Sequence, residues 1–163
     1  MAETEPQGAA AAPAMPQIKM LAHFVRDLSF ENVAVIEGRR QEGQPNILVT
    51  VNLDGKHLEE DRYQISMKLN CKSTAGESTR FLAELDYCGI FAIQNAPESH
   101  VHAIMFIECP RQLLPFARRV VADVTRDGGY PPLMLDNIDF ATLYRQKLEE
   151  FRQQQPAKGQ KAN

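Results

Sequence analysis

The sequence predicts an α+β domain in which four antiparallel strands come first and helices follow. Three observations carry that prediction. Tyr63, Ile65, Met67, Leu69 and Cys71 alternate with Gln64, Ser66, Lys68, Asn70 and Lys72, the period of a strand with one buried face. Phe81, Ala83, Leu85 and Tyr87 repeat that period after the turn signal Ala75-Gly76-Glu77-Ser78, so the two runs form a hairpin. Beyond Ile93 the period becomes helical, with Leu113, Phe116, Ala117, Val120, Val121 and Val124 on one stripe.

The first strand is expected over Ile18–Glu31. Ile18, Met20, Ala22, Phe24, Leu28 and Phe30 occupy its even positions, with Arg26 the exception, while Asp27, Ser29 and Glu31 point the other way. Gly38, Gly43 and Pro45 mark Asn32–Pro45 as a connecting loop, although Val33, Val35 and Ile36 make it unusually apolar. Ile47, Val49, Val51 and Leu53 predict a second strand closed by an Asp54-Gly55 turn. In the fourth strand Leu82, Glu84 and Asp86 share the face opposite Phe81, Ala83, Leu85 and Tyr87.

Asn95–Glu108 predicts a short helix, and Pro110 and Pro115 predict a kinked or split course for the longer helix after it. Gly128-Gly129 stops that helix. Tyr130-Pro-Pro-Leu-Met-Leu135 is expected to be extended, since proline also disfavours helix in the residue before it. Asp139 is placed to cap a last helix whose stripe is Phe140, Leu143, Tyr144, Leu148 and Phe151.

A chain of 163 residues suffices for one domain, over 17–152. Residues 1–16, rich in Ala, Pro, Gln and Glu, are expected to be a disordered extension, and 153–163 a disordered glutamine-rich tail. A net charge of -3 argues against a nucleic-acid partner. No apolar run reaches the roughly 20 residues of a membrane span, and no signal-peptide pattern precedes Lys19. Cys71, Cys88 and Cys109, odd in number and without a CxxC, read as reduced buried thiols of a cytoplasmic protein.

Catalytic patterns are missing. His100 and His102 lack a third metal ligand and read as polar residues on the wet side of a helix. Cys88 has no nearby histidine to activate it, and the sequence holds no phosphate-cradling loop or nucleophile elbow. No enzyme, metal or cofactor is expected. What remains is surface. If the first and fourth strands are neighbours, Asp27, Ser29 and Glu31 join Leu82, Glu84 and Asp86 in an acidic patch with an apolar centre. On the residues alone this is either a plain solvated face or a dock for a basic partner. Apolar strips on both sides of the strands also exceed what two helices cover, which points to oligomerisation or apolar ligands.

Seven short motifs, in order, carry a resemblance. They are Asp27-Leu-Ser-Phe-Glu31, Phe81-Leu-Ala-Glu-Leu85, Gly89-Ile-Phe91, Cys109-Pro110, Leu114-Pro-Phe-Ala-Arg118, Gly128-Gly-Tyr-Pro-Pro-Leu133 and Asp139-Phe140. Over about residues 17 to 152 the chain resembles the SecB family of protein-export chaperones. The resemblance implies a cytoplasmic, ATP-independent holdase assembled as a homotetramer, a dimer of dimers. It would keep precursor proteins unfolded in long apolar grooves and hand them to the SecA motor ATPase. The motor's basic, zinc-bearing C-terminal tail would dock on the outer sheet face, at Asp27, Glu31, Leu82 and Glu84. Ala83, Leu85 and Tyr87 would support the contact between dimers. Groove candidates are Val35, Ile36, Ile47, Val49, Val51, Leu143 and Tyr144. A rival of the same fold is a chaperone dedicated to a single client, such as an antitoxin.

Overall fold

A computed structural model describes residues 14–38 and 43–154. The expected disordered ends lie outside these residues, except that 14–16 have no regular structure and 153–154 belong to the last helix. Four long strands, β1 (Gln17–Glu31), β2 (Pro45–His57), β3 (Arg62–Ala75) and β4 (Ser78–Gln94), form one antiparallel sheet in the order β1-β4-β3-β2. β3 and β4 pair through the expected hairpin, with Ala75 opposite Ser78. Phe81, Ala83, Leu85, Tyr87, Phe91 and Ile93 of β4 and Ile65, Met67, Leu69 and Cys71 of β3 are buried on one side of the sheet, against the helices.

β1 departs from simple alternation. Its register against β4 slips between Met20 and Ala22 and again between Val25 and Asp27. Each slip reverses which parity faces the helices. Ile18 and Met20 therefore pair with Ile93 and Phe91 on the helix side, as expected. In the middle, His23 and Val25 take that side, and Ala22 and Phe24 turn to the reverse side, against expectation. The second slip restores the expected phase, so Leu28 and Phe30 face the helices.

The link from β1 to β2 holds a helical turn within its described residues: Val33–Ile36 form α1, anchored by buried Ala34, while 39–42 of the expected loop lie outside the described residues. The expected Asp54-Gly55 turn is instead strand, paired with Ser66 and Ile65. A Cβ on Gly55 would stand 3.0 Å from both Met105 Cε and Phe106 Cζ. The glycine marks a close approach of a helix rather than a reversal. The chain turns at 58–61, where Glu60 adopts a φ of 49°.

After β4, α2 (Glu98–Ala103) runs through a π-helical turn (Ile104–Glu108) into α3 (Cys109–Asp127). The irregularity lies just ahead of Pro110, and Pro115 sits within α3. A wider turn gives the Pro110 ring room where it would otherwise meet the carbonyl four residues back. Cys109, Leu113, Ala117, Val121 and Thr125 form the buried stripe. At the end of α3, Tyr130 N–H donates to Thr125 C=O and Gly129 N–H to Arg126 C=O, with Gly129 at φ 86°. These are the two bonds of a Schellman stop, which needs the left-handed residue that glycine supplies. Residues 131–139 have no regular secondary structure, and α4 (Phe140–Gln154) is capped by Asp139, whose Oδ1 accepts from Thr142 N–H at 3.0 Å.

Candidate functional site

Two surfaces on opposite sides of the sheet are candidates. The first is the reverse side of β1 and β4. Pairing sets Glu31 beside Leu82, Ser29 beside Glu84 and Asp27 beside Asp86. The neighbourhood that parity could only suppose is therefore real, and Asp27, Glu31 and Glu84 are exposed around half-buried Leu82.

Asp86 behaves differently from the other carboxylates. It is only 8% exposed. The slip after Val25 leaves Arg26 as the extra residue of β1, and its Nε donates to Asp86 Oδ2 at 2.9 Å while Nη2 donates to the same oxygen. Ser66 Oγ–H donates to Asp86 Oδ1, and Cys88 Sγ lies 3.6 Å from that oxygen. Burial alone would raise the Asp86 pKa. The hydrogen bonds from Ser66 and Arg26, with the guanidinium charge, outweigh it and hold the carboxyl below its ordinary range. Lys68 and Lys72 stand opposite Asp86 and Leu82 on β3, so the negative strip ends at β4.

The second surface is a groove of about 470 Å³ between β2 and α4. Val51 and Leu53 form its floor, His102 and Phe106 one end, and Leu143, Tyr144, Leu148 and Phe151 the α4 wall. The groove exists because α4 packs mainly on the π-helical turn and leaves the sheet uncovered beneath its C-terminal half. Tyr144 Oη and His102 Nδ1 share a 2.9 Å hydrogen bond, and the His102 ring leans on Phe106. Lys147 is the cationic group of the lining.

Of the groove candidates, Val51, Leu143 and Tyr144 are brought together here. Ile47 and Val49 continue the same side of β2 as exposed apolar residues, and Val35 and Ile36 on α1 are 65% and 80% exposed. None of these four lines the cavity itself. His102 and Phe106 were missed as groove residues: His102 is exposed, as expected, and also lines the groove. Their i, i+4 spacing gave the signal, but the π-helical turn that sets their direction has no sequence signature of its own. Ala83, Leu85 and Tyr87 are each 3% exposed within the single chain, on the side of β4 that meets the helices. Exposed Val25 and Leu28 continue the helix-facing side to the free β1 edge, while exposed Phe24 lies on the reverse side.

The three cysteines are free and buried. Burial pushes the Cys71 thiol up to about 11 and the Cys109 thiol up to about 12, far from a reactive thiolate at neutral pH. Among the described residues no cluster of three potential metal ligands occurs, and no helix is long and apolar enough to cross a membrane.

Comparison with known proteins agrees with this geometry. A family model described as preprotein translocase subunit SecB matches residues 11–151. The chain is 50% identical over 165 residues to the protein-export protein SecB of Ruegeria pomeroyi, covering 98% of this chain and 97% of that one. It is 49% identical over 157 residues to the protein of the same name from Dinoroseobacter shibae, covering 91% of each. Among solved structures, a SecB-like chaperone of Mycobacterium tuberculosis, in complex with a peptide from the HigA1 antitoxin, superposes with a TM-score of 0.62. That match covers 74% of this chain and 89% of the other at 12% identity, and so speaks to fold alone. A family match over residues 11–151 and an identity of about half along nearly the whole chain lead to one conclusion: the chain belongs to the SecB family of protein-export chaperones.

Proposed function

We propose that this chain is an ATP-independent cytoplasmic holdase that keeps precursor proteins unfolded for export and delivers them to the SecA motor. The observation that carries the proposal is the placement of two unlike surfaces on opposite sides of one sheet. Val51 and Leu53 open into an apolar groove, whereas Leu82 and Glu84 look the other way. A client segment in the groove leaves the acidic face free, so loading and delivery do not compete for surface.

Each groove contact is weak and non-specific, as a binder of many unfolded chains requires. Several grooves in one assembly raise avidity through effective concentration. A segment held extended cannot fold, which shifts the client's equilibrium toward the unfolded state. The acidic strip of Asp27, Glu31 and Glu84 steers a basic segment, such as SecA's zinc-bearing tail, and Leu82 adds apolar burial. The free β1 edge supports assembly as a dimer of dimers, since an unpaired edge with exposed apolar side chains invites a second copy.

The test measures refolding of denatured precursors with the purified chain and without ATP, alongside binding to SecA and size by light scattering. Delayed refolding of several unrelated precursors, SecA binding and a tetramer are expected. A monomer would remove the assembly. Tight binding to one client with no affinity for SecA would favour a dedicated single-client chaperone.

A further inference from the structure

We infer that Arg26 is a built-in competitor for the basic docking partner, which withholds Asp86 from the acidic face and so limits the strength of docking. The inference rests on the docking reading above. It starts from a juxtaposition that alternation itself sets up. Asp27 and Asp86 are cross-strand partners, and two carboxylates directly opposite each other repel. The slip between Val25 and Asp27 adds one residue to β1 at this point, and that residue is an arginine.

Its guanidinium lies across the reverse face and donates twice to Asp86, with Nη2 3.5 Å from Ser66 Oγ. No ion pair engages Asp27 among the described residues, and it is exposed; Asp86 is covered. Of two adjacent carboxylates, Arg26 neutralises one and leaves the other for a partner. The Arg26 side chain is 44% exposed, so it also presents a cation at the margin of the strip that a Lys- or Arg-rich segment must approach. In this role Arg26 is a positioning residue, acting through Asp86 and through the local field rather than by contact with the partner.

The consequence is a sign rule. Arg26→Gln removes the cation and uncovers a carboxylate while keeping an amide able to donate to Asp86. Asp86→Asn does the reverse, leaving the guanidinium unpaired on the face. The double variant has the net charge of the natural chain and replaces the ion pair by an amide pair.

The experiment titrates purified SecA with the natural chain and the three variants at neutral pH, at low and at high salt. Light scattering and thermal melting of each variant check fold and assembly. Arg26→Gln is expected to tighten binding about three- to tenfold at low salt and to steepen its salt dependence. Asp86→Asn is expected to weaken it by a similar factor, and the double variant to match the natural chain in both affinity and salt slope. A purely structural role would move both single variants in the same direction. That outcome, an unchanged salt slope in folded Arg26→Gln, or a folded double variant unlike the natural chain would overturn the inference. If the natural chain binds and Glu84→Lys abolishes binding, such a result leaves the docking reading intact. If the natural chain does not bind SecA, both fall.

Discussion

Tyr144 Oη and His102 Nδ1 lie 2.9 Å apart and tie the last helix to α2 across the end of the apolar groove. Beyond this tie α4 carries its apolar stripe away from the sheet, and Phe151 is left 63% exposed. The stripe that would be core in a closed domain becomes one wall of an open channel.

On the proposed reading, that division separates stability from client holding. Phe151→Ser removes exposed apolar surface, so it is expected to change unfolding free energy by less than about 0.5 kcal/mol. The same change should weaken retention of a denatured client, measured as faster escape to the native state. Tyr144→Phe keeps the ring and loses one hydrogen bond, with an expected cost of about 0.5–1.5 kcal/mol in chemical denaturation.

Glu84→Lys and Leu82→Gln test the acidic face. Both residues lie on the side of β4 away from the core. Each change should abolish SecA binding while client retention and assembly size stay as in the natural chain. Survival of SecA binding in both variants would show that the motor docks elsewhere.

Acid should destabilise the fold through two carboxyls. Asp86 is held below its ordinary range by Ser66 and Arg26 against the opposing effect of burial, and Asp139 by the Thr142 N–H and hydroxyl. A carboxyl whose folded pKa is depressed stabilises fully above its unfolded value of about 4 and loses that stabilisation as pH falls through the folded value. Melting temperature should therefore drop on acidification below that range. Asp86→Asn should flatten part of the drop in a thermal melting series.

Gly89 is the packing prediction. A Cβ there would stand 2.6 Å from Phe91 Cε2 and 2.7 Å from Leu113 Cδ2, and both neighbours are fully buried. Gly89→Ala is expected to cost about 1–3 kcal/mol as overpacking. Denaturant titration with an unchanged m-value is the check.

Much of the fold is legible in the amino-acid sequence. From Tyr63 to Ser73 in β3 and from Phe81 to Tyr87 in β4 the pairing is regular, because each strand is flanked by two others and buried on one side, which fixes register. The Asp139 cap and the Gly129 stop depend on bonds within a few residues, and local chemistry is what a sequence displays most directly. The misreadings fall where a distant element decides the outcome. Gly55 looks like a turn until Phe106 is seen above it. Asp86 looks like a third outward carboxylate until the slip in β1 brings Arg26 over it. Ala22, His23, Phe24 and Val25 changed sides for the same reason. For Leu82 and Glu84, alternation leaves a solvated face and a dock both open, and only the family resemblance favours the dock proposed above.

The two slips in β1 cancel. Because they do, both ends of the strand keep one phase, and only the short block between them is inverted. β1 therefore behaves like a message with two compensating frameshifts. Deleting Arg26 would make Val25 and Asp27 ordinary neighbours, still opposite Tyr87 and Asp86, so the rest of β1 would keep its sides and only the cation over Asp86 would go. Deleting Leu21 would likewise join Met20 to Ala22 with both pairings kept. A residue lost anywhere else in the strand has no such slack, and would turn over every side chain on one side of the gap.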